Sequence, residues 1–352
     1  MKVIRIDRGE GKFREGLKLL QNSYVAFGPL KEDREVYNFK ILGDKTPDLN
    51  IQNTYLSPKG IVFPQSEVML KYTLDETKED CNLMKEAEKD KKPKAVFGIR
   101  PCDAASFLIA KRNFDTADYK DPYWISSYEA TTFAGLACNE PCSTCFCKSA
   151  GYGPFNEEGL DLLFVDFNSY FLIKVLTPKG EELMKKANWQ NVVDSDKALA
   201  DILSKKTSCE DKFTTSIATS NLKSKTILEL YNAPFWEEES FACLNCGTCT
   251  FVCPTCWCFD IQDENCGCDG VRMKNWDSCM FPLFTLHGTG HNPRGNKQQR
   301  VRQRFMHKLK YYLDKYDKGI QCVGCGRCVR LCPVNIDIRR ISEKMNGYKA
   351  CN

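Results

Sequence analysis

Two stretches of this chain repeat one cysteine spacing. Cys243, Cys246, Cys249 and Cys253 are followed by Pro254, and Cys322, Cys325, Cys328 and Cys332 are followed by Pro333. Both read C-x2-C-x2-C-x3-C-P, a spacing suited to [4Fe–4S] clusters. Three closely spaced thiolates wrap one face of a cubane on a tight loop. Gly247, Gly324 and Gly326 let the backbone come close, where amides reach sulfur. The fourth cysteine stands at a helix start, and in two-cluster proteins it ligates the other cluster. The expected sets are Cys243, Cys246, Cys249 and Cys332 for one cluster, and Cys253, Cys322, Cys325 and Cys328 for the other. Zinc sites present separated C-x2-C pairs instead.

A second thiol group lies in the first half. Cys102 follows the apolar run 95–99, and Cys138, Cys142, Cys145 and Cys147 follow the apolar run 131–137. If both runs are parallel strands of one sheet, both loops emerge at its carboxyl edge, where open α/β sheets build their sites. Five thiols would then converge, enough for a third cluster with one to spare. Reduced buried cysteines or a zinc site are the alternatives.

The elements that must position these groups read as α/β in the first half. Residues 3–6, 95–99 and 131–137 are strand candidates. Residues 160–166 and 170–176 form a hairpin turning at Asn168–Ser169. Residues 13–20, 104–111 and 181–187 have helical spacing, with Pro178-Lys179-Gly180 punctuating the chain before the last of these. Residues 195–224 are polar and helix-leaning, and Asn232 to Trp236 reads as a hinge. The expected fold is therefore an α/β (α+β) domain over 1–234, then a bacterial two-[4Fe–4S] ferredoxin-like domain over 235–352 with a helical insertion at about 280–318.

The chain has 352 residues, is 42% hydrophobic, and contains 21 cysteines. It is long enough to bury a core without disulfides. The N-terminal residues are charged and lack a secretory apolar segment, and no stretch is apolar enough to span a bilayer. A thiol-rich chain of this kind is expected in the cytoplasm and points to metal. The formal charge of +4 counts every thiol as neutral, so clusters on ionised thiols would cancel it.

Other features carry less. Cys256, Cys258 and Cys279 are expected to pack beside the clusters with Trp257, Trp276 and Phe281, while Cys266 and Cys268 leave open a small extra site with Cys256 and Cys258. Lys297, Arg300, Arg302, Arg304, Lys308 and Lys310 interleave with Val301, Phe305, Met306 and Leu309. That pattern predicts an amphipathic helix with a solvated charged face that compensates cluster charge or docks a partner, rather than a nucleic-acid site. His287, His291 and His307 are assigned no role. No nucleotide-binding fingerprint, catalytic triad or paired acid/base site is evident.

Several motifs together resemble the two-cluster iron–sulfur subunit shared by anaerobic sulfite reductase (its A subunit) and cytoplasmic sulfhydrogenase (its beta subunit). They are Phe97 to Asp103, the loop from Cys138 to Cys147, Cys253-Pro254-Thr255-Cys256-Trp257-Cys258, Trp276 to Phe281, His291 to Arg294, Arg302 to Lys308 and Cys322 to Asp337, a match over roughly residues 95–340. The resemblance implies a third [4Fe–4S] cluster on Cys102, Cys138, Cys145 and Cys147, with Cys142 as alternate ligand. It also implies electron transfer in an anaerobic complex, between a flavin- and NAD(P)-binding subunit and a catalytic subunit of sulfite reductase or NiFe hydrogenase type. The alternative is a stand-alone reductase with the N-terminal thiol group as its active site.

Overall fold

The computed structural model describes residues 2–8, 11–89 and 91–349; residues 1, 9, 10, 90 and 350–352, which include the outer ends of both expected domains, lie outside the described residues. The first half runs β1 (Val3–Asp7), α1 (Lys12–Leu20), β2 (Val25–Asp33), β3 (Val36–Ile41), β4 (Ser66–Thr73), β5 (Lys85–Glu86), β6 (Lys94–Ile99) and α2 (Pro101–Phe114). It continues with α3 (Pro122–Glu129), β7 (Thr131–Leu136), β8 (Leu162–Asp166), β9 (Tyr170–Val175), α4 (Pro178–Lys186) and α5 (Ser195–Glu210). The second half holds α6 (Ile227–Tyr231), α7 (Phe235–Phe241), α8 (Thr248–Phe251), β10 (Phe259–Cys266), β11 (Asp269–Trp276) and α9 (Lys297–Met306). A π segment, His307–Tyr311, leads to α10 (Tyr312–Tyr316), α11 (Arg327–Arg330) and α12 (Ile338–Gly347).

A seven-stranded sheet, ordered β1-β9-β8-β7-β6-β2-β3, is the frame. Strands β2, β6, β7 and β8 are parallel neighbours. They are apolar runs because helices cover both faces. Ala95 and Phe97 of β6 point to the layer holding Phe13, Leu17 and Leu183, whereas Val96 and Ile99 point to the layer holding Phe107, Trp124 and Ile202. The β8–β9 hairpin turns at Asn168, in the left-handed region at φ 68°.

Two helix starts differ from the sequence reading. Helix α2 begins at Pro101, before the expected residue 104, because proline suits the first helical position. Cys102 and Asp103 therefore sit in its first turn. Likewise Pro178-Lys179-Gly180 is the first turn of α4, not a break before it, and the Thr177 hydroxyl caps the Gly180 N–H.

A second, antiparallel sheet, β10-β11-β4-β5, joins the two halves, with β11 pairing β4 from Asp269↔Thr73 to Asn275↔Ser66. The hairpin between the two cysteine runs thus borrows a strand from the first half. All of β10 is exposed, so it carries no apolar period to betray it.

Candidate metal centres

Each cysteine run folds as a loop followed by one helical turn, α8 or α11, and the two turns pack together. Each turn starts after a left-handed glycine, Gly247 at φ 75° and Gly326 at φ 73°. Two residues after each first cysteine the backbone is again left-handed, at Asn245 (φ 55°) and Gly324 (φ 66°). This turns the Asn245 N–H onto Cys243 Sγ at 3.4 Å and the Gly324 N–H onto Cys322 Sγ at 3.5 Å. The Ile336 N–H reaches Cys332 Sγ at 3.2 Å, and the Thr255 hydroxyl lies 3.3 Å from Cys253 Sγ. Such donors favour a thiolate, the form that binds metal.

The last cysteine of each run lies close to the other run. Cys243, Cys246, Cys249 and Cys332 line one pocket, walled by Met280 and Phe305 and bordered also by Cys328. Cys253 lies instead by Cys322, Cys325 and Cys328, where burial, with a smaller contribution from the Cys253 charge, raises all three thiols, Cys325 to about 12. Both sets are made of thiols alone, with amide or hydroxyl donors beside them, and that chemistry fits iron–sulfur clusters.

The N-terminal thiols converge as well. Strands β6 and β7 are parallel, so Cys102 at the start of α2 and Cys138 after β7 share the carboxyl edge. Cys102, Cys145 and Cys147 are buried. Burial pushes the Cys102 thiol well up, with Cys325, Cys147 and Cys138 adding to it. The Cys145 thiol donates to the Cys142 carbonyl at 3.1 Å, and a hydrogen bond between the two side chains brings Cys142 down to about 6. Cys142 thus lies near Cys138, Cys145 and Cys147.

The second run lies directly on this loop. A Cβ on Gly324 would sit 2.5 Å from the Cys147 nitrogen, and one on Gly326 would sit 2.6 Å from the Thr144 carbonyl carbon. These glycines make room for another loop as well as for a cluster. The Phe146 N–H donates to the Gly324 carbonyl at 2.8 Å, and Cys102, Cys147, Val323 and Cys325 share one buried group. Beside it, fully buried Arg327 grips fully buried Asp103 through two bonds of 2.5 and 2.7 Å. Arg327 also donates to the Thr54 carbonyl and hydroxyl at 3.0 Å each, and to Asn53.

The basic stretch around α9 corrects the sequence reading. Most of its cations do not form a solvated face: Arg300, Arg304, Lys308 and Lys310 are buried with Val301, Phe305, Met306 and Leu309, while Lys297 is exposed and Arg302 half-buried. Arg300, Arg304 and Lys308 recur every four residues beside Val301, Phe305 and Leu309, so they follow the core stripe, a signal available in the sequence. Lys308 Nζ donates to the Thr255 hydroxyl at 2.8 Å and the Gln321 carbonyl at 3.1 Å. Arg304 Nη1 donates to Cys256 Sγ at 3.4 Å. Lys59, in the turn Pro58–Ile61, was not singled out. Its Nζ donates to the carbonyls of Cys256 (2.8 Å) and Thr250 (3.2 Å), lies 4.1 Å over the Trp276 ring, and is brought down to about 8 by burial.

Cys258 and Cys279 are neighbours, and the Cys279 side chain, by hydrogen bonding, lowers Cys258 to about 6. The small extra site suggested for Cys256, Cys258, Cys266 and Cys268 does not form. Cys266 and Cys268 are exposed at the turn of the β10–β11 hairpin, whereas Cys258 precedes its other end, where Phe259 pairs Trp276. The seven strand residues Phe259–Asn265, at about 3.3 Å each, lie between Cys258 and Cys266. Among the described residues no three His, Cys, Asp or Glu side chains gather to hold a single metal ion.

Comparison with known proteins agrees with this donor chemistry. Residues 242–336 match the family model of the 4Fe-4S dicluster domain. The chain is 28% identical over 338 residues to sulfhydrogenase 2 subunit beta of Pyrococcus furiosus, covering 95% of this chain and 96% of that protein. No solved structure matches. The resemblance read from the motifs thus extends beyond residues 95–340: this chain carries a 4Fe–4S dicluster domain within a sequence similar, along nearly its whole length, to a sulfhydrogenase beta subunit.

Proposed function

We propose that this chain is the electron-relay subunit of a cytoplasmic anaerobic oxidoreductase, passing electrons between a flavin- and NAD(P)-binding subunit and a catalytic subunit of hydrogenase or sulfite reductase type. Its ligands are Cys243, Cys246, Cys249 and Cys332 for the first cluster, and Cys253, Cys322, Cys325 and Cys328 for the second. Cys102, Cys138, Cys145 and Cys147 hold a third, with Cys142 as alternate. Residues 1–234 and 235–352 act as two domains that share the small sheet. The similarity to a sulfhydrogenase subunit supports partner subunits. No helix among the described residues is long and apolar enough to cross a membrane.

One observation carries the reading. The three thiol sets adjoin in a row that reaches the surface at both ends. Cys246 is exposed at one end, and at the other Cys138 lines an open pocket with Arg100, Asn139, Glu140 and Asp166. When bound, the clusters supply one-electron carriers. The chain's own residues hold them, keep water from the inner set and present the two ends.

The pocket beside Cys138 is the feature that favours a second reading, a stand-alone reductase. Purification under argon, alone and with the products of neighbouring genes, separates the two. Reduction of a small substrate by the isolated chain would sink the relay. Iron and sulfide analysis with EPR should give about twelve iron atoms, and about eight would remove the third cluster.

A further inference from the structure

Arg304 is 2% exposed, yet only its Nη1 has a partner, Cys256 Sγ; Nε and Nη2 are buried with none. A buried guanidinium is always charged and needs an anion or acceptors nearby. The space around it holds both candidates. Arg304 lines the pocket of Cys243, Cys246, Cys249 and Cys332, and Cys328 of the other set lines the same pocket. The charges that act on it most are those of Cys249, Cys256, Cys328 and Cys253, the first from one set and the last two from the other.

We propose that Arg304 is a shared positioning residue for the two ferredoxin-type clusters, its free N–H groups donating to both and its fixed charge raising both midpoint potentials. This rests on the reading of the two thiol sets as cluster sites. Each one-electron reduction adds a negative charge to a cluster, and a fixed cation beside it stabilises the reduced form. A planar guanidinium with two unpartnered nitrogens, Nε and Nη2, holds its free N–H groups in fixed directions and can donate towards both sites. Lys308 is the contrast. It faces Cys253, Cys256 and Cys322, and donates to Thr255 and Gln321, so it should act on the second cluster only.

The test is an EPR-monitored redox titration of the full chain carrying Arg304→Met, with iron counted in the same samples. Both clusters should become harder to reduce, each by at least tenfold in oxidised-to-reduced ratio at fixed potential, about 59 mV for one electron. Lys308→Met should move one cluster only. If Arg304→Met does not retain its iron, Arg304→Lys decides: it keeps the charge, loses the fork, and should lower the potential of at least one cluster. An unchanged potential for either cluster in Arg304→Met, or for both in Arg304→Lys where only that variant retains iron, overturns the proposal. Wild-type protein without the two C-terminal clusters would instead overturn the cluster reading itself.

Discussion

The two cysteine runs share a spacing and a backbone, but they live in different surroundings. In the first set Cys246 is exposed and Cys243, Cys249 and Cys332 are half-buried; in the second Cys253, Cys322 and Cys325 are buried and only Cys328 is half-buried. The equivalent positions between the cysteines show why. Asn245 and Thr248 of the first run correspond to Gly324 and Arg327 of the second. Gly324 fits beneath the Cys147 backbone, and Arg327 clamps Asp103. One loop motif therefore does two jobs. The first presents a cluster site to the surface, and the second seals one against the N-terminal thiols.

The largest effect should come from breaking the clamp. Arg327→Met leaves Asp103 buried and unpaired, which costs about 3–5 kcal/mol. The matching change in the first run, Thr248→Ala, should stay within about 0.5 kcal/mol. Denaturant unfolding under argon checks both, and equal losses would erase the distinction. Next, Gly324→Ala drives a methyl into Cys147 at a left-handed position and should cost about 2–3 kcal/mol. Asn245→Ala removes the acceptor of the Arg300 hydrogen bond at 3.1 Å and adds left-handed strain, about 1 kcal/mol from each.

Exposure sharpens the contrast kinetically. A chelator with mild oxidant should remove iron from the first set before the second, in two phases. Cys246→Ala should abolish the fast phase, whereas a single phase in the wild type would mean that the two sites are equally accessible. The smallest effect on stability is expected at Leu244, which is 66% exposed in the same pocket wall as Cys246. Leu244→Glu should change stability by less than about 0.5 kcal/mol and leave the iron count intact. It should nonetheless weaken co-purification with the redox partner that meets this edge.

Much of this arrangement was legible in the sequence because it is local. Cysteine spacing marks the two runs, and apolar runs mark β6 and β7, whose parallel pairing sets Cys102 and Cys138 on one edge. What escaped is long-range. Strands β4 and β10 recognise each other only through β11, and β10 has no buried face to give a period. Asp103 and Arg327 are far apart in sequence and look like ordinary surface charges until the fold joins them. Arg304 and Lys308 depart from the sequence expectation because charge at helical spacing normally means solvent. Here the thiols and carbonyls of the core take the place of water.

The exchange of fourth cysteines is the central claim, and EPR of single-cysteine variants tests it most directly. Cys332 belongs to the second run by sequence and to the first run's pocket by position. The residual cluster spectrum of Cys332→Ala should therefore match that of Cys246→Ala, and the spectrum of Cys253→Ala should match that of Cys325→Ala. A Cys332→Ala spectrum matching Cys325→Ala instead would contradict the account.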